Sequence, residues 1–227
     1  MPATVLRFTV SERVQHVILA LSLITLALTG LSLRYHDTYW GRFMIELEGG
    51  LEGRGLIHRI SAVVLIAVSI YHYGYTLISR RGQELFQAML PRKGDLGKGF
   101  QSFRYDLGKT AAPPEWDRFT YFQKVQYFGV ILGVISLSVT GLILWMGPQA
   151  VAIAPKWLVD LTLVIHGYEG LLIFIILLFW HLYNVHLAPG NFPMNMSWIT
   201  GRITMDELKE KHPAEYRRVS SGGENAA

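Results

Sequence analysis

Four long stretches of this chain carry no formal charge, and they limit its fold more than any other feature. Twenty uncharged residues lie between Arg13 and Arg34, and twenty more between Arg59 and Arg80. Longer stretches run from Lys124 to Lys156 and from Glu169 to Arg202. A helix needs about 20 apolar residues to cross a hydrocarbon core about 30 Å thick, and each stretch holds that many. Backbone polar groups cannot stay unpaired in lipid, so such segments become helices. The fold expected is all-α, an integral membrane four-helix bundle with helices at about 12–34, 55–79, 121–146 and 158–187. Residues 1–205 are expected to form a single transmembrane domain, followed by a polar cytoplasmic tail at 206–227. The last eight residues of the chain are expected to be disordered. The first apolar run is too long for a secretory signal, and no small-residue cleavage site follows it.

Orientation follows from the basic residues. Of 21 Lys and Arg, 16 fall in the N-terminal segment, the loop from Arg80 to Lys124 and the C-terminal tail. The other five are Arg34, Arg42, Arg54, Arg59 and Lys156. The excess of cations on cytoplasmic loops predicts both termini inside (N-in/C-in), in a multi-pass protein of the bacterial cytoplasmic (inner) membrane. Topology then accounts for the net charge of +4. It implies a lipid bilayer as partner, with some preference for anionic lipid, and no nucleic acid.

Between the spans, Trp40 and Phe43–Leu47 predict a short interfacial helix ended by Gly49–Gly50. The loop after the second span predicts an amphipathic turn or two at 84–90, stopping at Pro91. Gly94, Gly97, Gly99 and Pro113–Pro114 then punctuate it, so no independent domain is expected there. Gly129, Gly133, Ser136 and Gly141 make the third span able to pack closely on a neighbour. No tandem repeat is visible.

The chain has no cysteine. That excludes disulfides, iron–sulfur clusters and thioether-linked haem. Histidine is the remaining ligand for a redox centre. His16, His58, His72, His166 and His181 lie inside or at the edges of the apolar stretches, and His186 lies just beyond. Ionisable residues at membrane depth are costly and mark function. His58 and His72 are fourteen residues apart, and His166 and His181 fifteen. On an α-helix each pair stays on roughly one face, separated by about 21 Å and about 22 Å. The histidines thus form two layers. His58 and His166 belong to the outer half, and His16, His72 and His181 to the inner half. A haem iron with two axial imidazoles needs facing histidines at one depth. His58 with His166 meets that need for an outer haem, whereas His181 has two candidate partners, His16 and His72. His186 lies about 140° around an α-helix from His181 and faces elsewhere. Arg59 and Arg13 stand next to, or one turn from, a histidine and are candidate contacts for haem propionates. Glu169, one turn from His166, is a candidate to orient an imidazole or accept a proton.

The stretches Arg7-Phe8, Glu12–His16 and Leu28-Thr29-Gly30 resemble the first helix of the four-helix cytochrome b subunits. Those subunits serve formate dehydrogenase-N, membrane-bound nickel–iron hydrogenases and thiosulfate reductases. Gly55–Arg59 resembles the start of their second helix. His166–Gly170 and Trp180–Asn184 resemble the two ligand regions of their fourth. The resemblance covers residues 5 to about 200. It implies haem b as cofactor, an outer haem on His58 and His166, and an inner haem on His16 and His181. It also implies a quinone site near the inner haem, for menaquinone or ubiquinone, with Asn184 and Tyr183 as candidate contacts. His72 and His186 depart from those subunits. They resemble instead the cytochrome b/b6-type subunits found beside periplasmic multihaem cytochromes c, and that resemblance leaves the count open between two haems and a third on His72 and His186. The function implied is an electron-transfer subunit of a respiratory oxidoreductase complex, not catalytic alone. It joins a periplasmic redox subunit, either a multihaem cytochrome c or an iron–sulfur subunit of a dehydrogenase or hydrogenase, to the quinone pool. The competing readings are a His-lined metal-ion transporter and a non-redox membrane anchor.

Overall fold

The computed structural model describes residues 3–188 and 191–222. In chain order its elements begin with β1 (Thr4–Leu6), α1 (Val10–Arg34), α2 (Tyr39–Leu47) and α3 (Gly50–Ile78). Then come α4 (Arg80–Met89), α5 (Asp95–Asp106), α6 (Tyr121–Trp145) and α7 (Pro148–Ile153). The helix α8 (Lys156–Ile175) continues in wider turns through Ile176–His181 and Tyr183–Leu187. The chain closes with α9 (Ser197–Thr200), β2 (Arg202–Thr204), α10 (Met205–Lys211) and α11 (Pro213–Ser220). Among the described residues, Val10–Arg34, Gly50–Ile78, Tyr121–Trp145 and Lys156–Leu187 are long and apolar enough to cross a membrane. Only 6–17% of the most apolar window of each is buried within the protein. Their outward apolar side chains suit lipid. Of the last eight residues, expected to be disordered, Ser220 ends α11 and Ser221 and Gly222 form its closing turn, while 223–227 lie outside the described residues.

The second span begins five residues earlier than the apolar pattern suggested. Gly49 and Gly50 take φ of +88° and +79°, a conformation open mainly to glycine. The break between α2 and α3 is therefore confined to Glu48 and Gly49, and α3 starts at Gly50. The short α2 is capped by Thr38, whose hydroxyl accepts the Gly41 N–H at 3.1 Å. Tyr39, Phe43 and Leu47 recur along one exposed face of it.

The chain divides into two compact units. One comprises Met1–Arg13, Tyr73–Gly129 and Met196–Ala227. Here the start of α1 carries a capping box: the Thr9 N–H donates to Glu12 at 2.9 Å, and the Glu12 N–H donates back to the Thr9 hydroxyl at 3.3 Å. β1 and β2 pair antiparallel, Thr4 opposite Thr204 and Leu6 opposite Arg202. Ile203 and Leu208 supply a small apolar core beside them. Deeper still is an ionic cluster. The Arg7 guanidinium meets Glu215 at 2.5 Å and also donates to the Arg118 carbonyl. Arg118 in turn lies 3.6 Å from Glu215 and donates to the Arg7 carbonyl at 2.6 Å. His212 is locked neutral within it. Arg7 can only donate, so the imidazole Nε2, 3.2 Å away, accepts, and Nδ1–H donates to the Asp117 carbonyl at 2.7 Å. Burial, reinforced by the Arg7 charge, pushes the His212 pKa down to about 3.

The loop expected to be irregular contains a real helix. α5 begins after Gly94 at φ +94° and packs on the start of α6. Asp95 pairs with Lys124 at 2.7 Å. A Cβ on Gly99 would come within 2.8 Å of the Tyr121 ring, so a glycine that reads as a breaker is what lets this helix approach. α4 likewise packs Phe86 on Phe128, ring centres 6.3 Å apart. Local composition predicts a loop because these stabilising partners lie more than twenty residues away in the chain.

The other unit comprises Val14–His72 and Val130–Asn195. It contains most of α1, α3 and α6, and all of α8, and it holds the histidine layers.

Candidate functional site

His58 on α3 and His166 on α8 face each other with ring centres 6.3 Å apart and planes at 65°. His16 on α1 and His181 face each other at 6.2 Å and 43°. These separations have a simple chemical meaning. A metal ion with bonds of about 2 Å to one nitrogen of each imidazole, and about 1.1 Å more from each nitrogen to its ring centre, sets the centres about 6.2 Å apart. Two imidazoles in line leave four equatorial positions, the number a porphyrin fills. Among the described residues no three His, Cys, Asp or Glu side chains gather as a metal site. The histidines meet as pairs, which suits an iron whose other ligands come from a macrocycle. The donor set therefore fits b-type haem better than a bare transported ion.

The outer pair is held from behind by two threonines that sequence reasoning passed over. The Thr29 hydroxyl on α1 lies 2.7 Å from His58 Nδ1, and the Thr140 hydroxyl on α6 lies 2.9 Å from His166 Nδ1. Each threonine also donates to the carbonyl one turn back in its own helix, Thr29 to Thr25 at 2.7 Å and Thr140 to Ser136 at 2.8 Å. A glycine follows each. A Cβ on Gly141 would sit 3.1 Å from His166 Cε1, tighter than ordinary contact, whereas one on Gly30 would sit 3.9 Å from His58 Cε1 without strain. A side chain at 141 would therefore have to displace the His166 ring by a few tenths of an ångström, and one at 30 would not disturb His58. The signal in the sequence is the dipeptide Thr-Gly, present once in the first span and once in the third.

The remaining small residues of α6 divide. A Cβ on Gly133 would meet Ile173 of α8 at 2.4 Å, and Ser136 donates to Glu169 at 2.5 Å. Gly129 has open space around its Cα. Glu169 is thus hydrogen-bonded to α6, and the partners of His166 on α6 are the Thr140 hydroxyl and the Leu137 carbonyl.

Of the two inner-half candidates opposite His181, the structure places His16 there. His72 Nδ1 instead donates to the Gln15 side-chain carbonyl at 2.9 Å, so Gln15, next to His16, is a partner that spacing arguments did not identify. The end of α8 departs from regular winding: Leu182 N–H bonds to Leu177 and Ala188 N–H to Tyr183, both with i→i+5 spacing. The angle of about 140° between His181 and His186 holds for a regular α-helix. Asn184 donates to the Trp180 carbonyl at 2.7 Å, and Tyr183 is half exposed.

The arginines also sort themselves. Arg59 lies over the Trp145 ring, 5.9 Å from its centre. Arg54, one turn before His58, donates to the Thr29 carbonyl at 2.7 Å. Arg34 lies over Tyr168, 4.5 Å from the ring centre. Arg54 and Arg34 join Arg59 as cations flanking the outer pair, and neither was singled out from the sequence. Arg13 belongs to the other unit, where it donates to the Ile199 carbonyl.

Residues 7–189 match the family described as prokaryotic cytochrome b561. The curated relatives include the formate dehydrogenase cytochrome b556(fdo) subunits of Escherichia coli K12 and of Escherichia coli O157:H7. Each is 24% identical over 228 residues, spanning 99% of this chain and 97% of the relative.

Proposed function

The chain belongs to the prokaryotic cytochrome b561 family, and from that premise we propose how it is wired. It is a multi-pass subunit of the bacterial inner membrane that transfers electrons through b-type haem. His58 and His166 would hold the outer haem, with Arg54, Arg59 and Arg34 as candidate contacts for its propionates. The inner haem is held by His16 and His181. The observation that carries this reading is the matching separation of the two pairs, 6.3 Å and 6.2 Å. When bound, haem supplies one-electron redox chemistry. The chain supplies axial nitrogens, ring orientation and a low-dielectric surround. α8 contributes one ligand to each pair and so links the two centres.

Electrons pass between a redox subunit on the periplasmic side and quinone bound near the inner pair, where Asn184 and Tyr183 are candidate contacts. The relatives' place in formate dehydrogenases supports an oxidoreductase complex as the setting. Quinone reduced near the inner haem takes its protons from the cytoplasm, so transfer from an outer donor builds a membrane potential.

A reduced-minus-oxidised absorbance spectrum with haem quantified per polypeptide tests the reading. Two haems are expected. Three haems, falling to two in His72→Ala and in His186→Ala, would establish a third centre on those residues. No α-band would return the chain to the anchor or transporter reading. Orientation has its own test, motivated by the 16-to-5 division of cations. A reporter fused after Ala227 reads as cytoplasmic, and one inserted near Gly50 as periplasmic. The reverse at either site exchanges inner and outer pairs.

A further inference from the structure

We propose that Thr29 and Thr140 are positioning residues that hold the two ligands of the outer haem in the iron-binding tautomer and together set that haem's potential. The inference rests on the pairing of His58 with His166 proposed above and adds to it a control on each ligand. A threonine hydroxyl has one proton and two lone pairs. In each case that proton is committed to a backbone carbonyl of the preceding turn, Thr25 or Ser136, which can only accept. Toward the imidazole the hydroxyl oxygen must therefore accept. The proton lies on Nδ1 of His58 and of His166, and Nε2 is left with the lone pair that iron requires. The helix backbone thus bears on the tautomer through the threonine, and at His166 the Leu137 carbonyl also accepts from the ring.

The arrangement is built twice. A threonine on α1 serves the histidine of α3, and a threonine on α6 serves the histidine of α8. The two devices converge on one pair of rings, 6.3 Å apart. A hydrogen bond from Nδ1–H makes an imidazole a stronger donor to its metal and orients its ring. A more basic ligand favours the oxidised iron, so two such bonds hold the outer potential down.

The experiment is a potentiometric titration of the purified full chain, read at the haem α-band, for wild type, Thr29→Val, Thr140→Val and the two serine variants. Valine keeps the shape of threonine and removes the oxygen; serine keeps the oxygen. Each valine variant is expected to raise the potential of one haem, the same haem in both, and to leave the other unmoved. The double valine variant raises it further, and the serine variants titrate as wild type. Loss of that one haem in both valine variants, with full retention in both serine variants, supports the same role. Unchanged potentials in the valine variants overturn the inference while leaving the histidine pairing intact. Shifts of two different haems by Thr29→Val and Thr140→Val overturn the pairing itself. Serine variants that behave as the valine ones show a packing role and also overturn the inference.

Discussion

Replacing His58 by Ala removes one haem from the protein, and replacing His166 by Ala removes the same one. The expectation follows from their facing rings at 6.3 Å and from the threonine behind each. An iron left with one imidazole loses an axial bond and the ring that clamps the opposite face. Haem per polypeptide falls by half in each single variant. The double variant loses no more than either single one, because the two ligands act as a unit. A redox titration that shows two steps in the wild type shows one in each variant, with the surviving step unmoved. His16→Ala removes the other haem and leaves the complementary step. Insertion persists in all of them, since the apolar helices that drive it are unchanged. A double variant that loses both haems would show that His58 and His166 serve different irons.

Glu215→Ala is expected to be the most damaging substitution outside the membrane helices. Glu215 and Arg7 are both almost wholly buried, and Glu215 also neutralises Arg118. Its removal leaves two arginines side by side in a poorly solvated site, and breaking a buried pair in this way costs about 3–5 kcal/mol. Arg7→Ala is milder, because Glu215 retains Arg118. The comparison that isolates burial is Arg217 with Glu115, which meet at the same 2.5 Å but lie more than half exposed. Glu115→Ala should leave stability within error, as solvent and salt screen such pairs. Hydrogen exchange across α4, α5 and α11 measures the effect: Glu215→Ala exposes these helices and Glu115→Ala does not. Equal protection in the two variants would refute the assignment.

The spans and the two histidine layers were legible in the sequence because they depend on local properties. An apolar run of twenty residues has few options in lipid, and two histidines a near-whole number of turns apart share a face whatever surrounds them. The stop at Gly49–Gly50 is local in the same sense. Other features were not local. α5 reads as a loop because its glycines look like breakers until Tyr121 is known to lie against Gly99. Glu215 reads as one more acid in a charged tail until Arg7, 208 residues away, is found beside it. The winding around His186 was not legible either, because α8 leaves regular α-helical hydrogen bonding after Ile175 and nothing in its apolar sequence announces the change.

Composition and periodicity thus established a four-span, cysteine-free membrane protein with imidazole at two depths. Which imidazole meets which was a matter for the tertiary structure. Helices that are apolar nearly all round carry no stripe to show which side faces a neighbour. Their rotation about their own axes is set by packing, and it is that rotation which puts His16 opposite His181, His72 against Gln15, and a threonine behind each histidine of the outer pair.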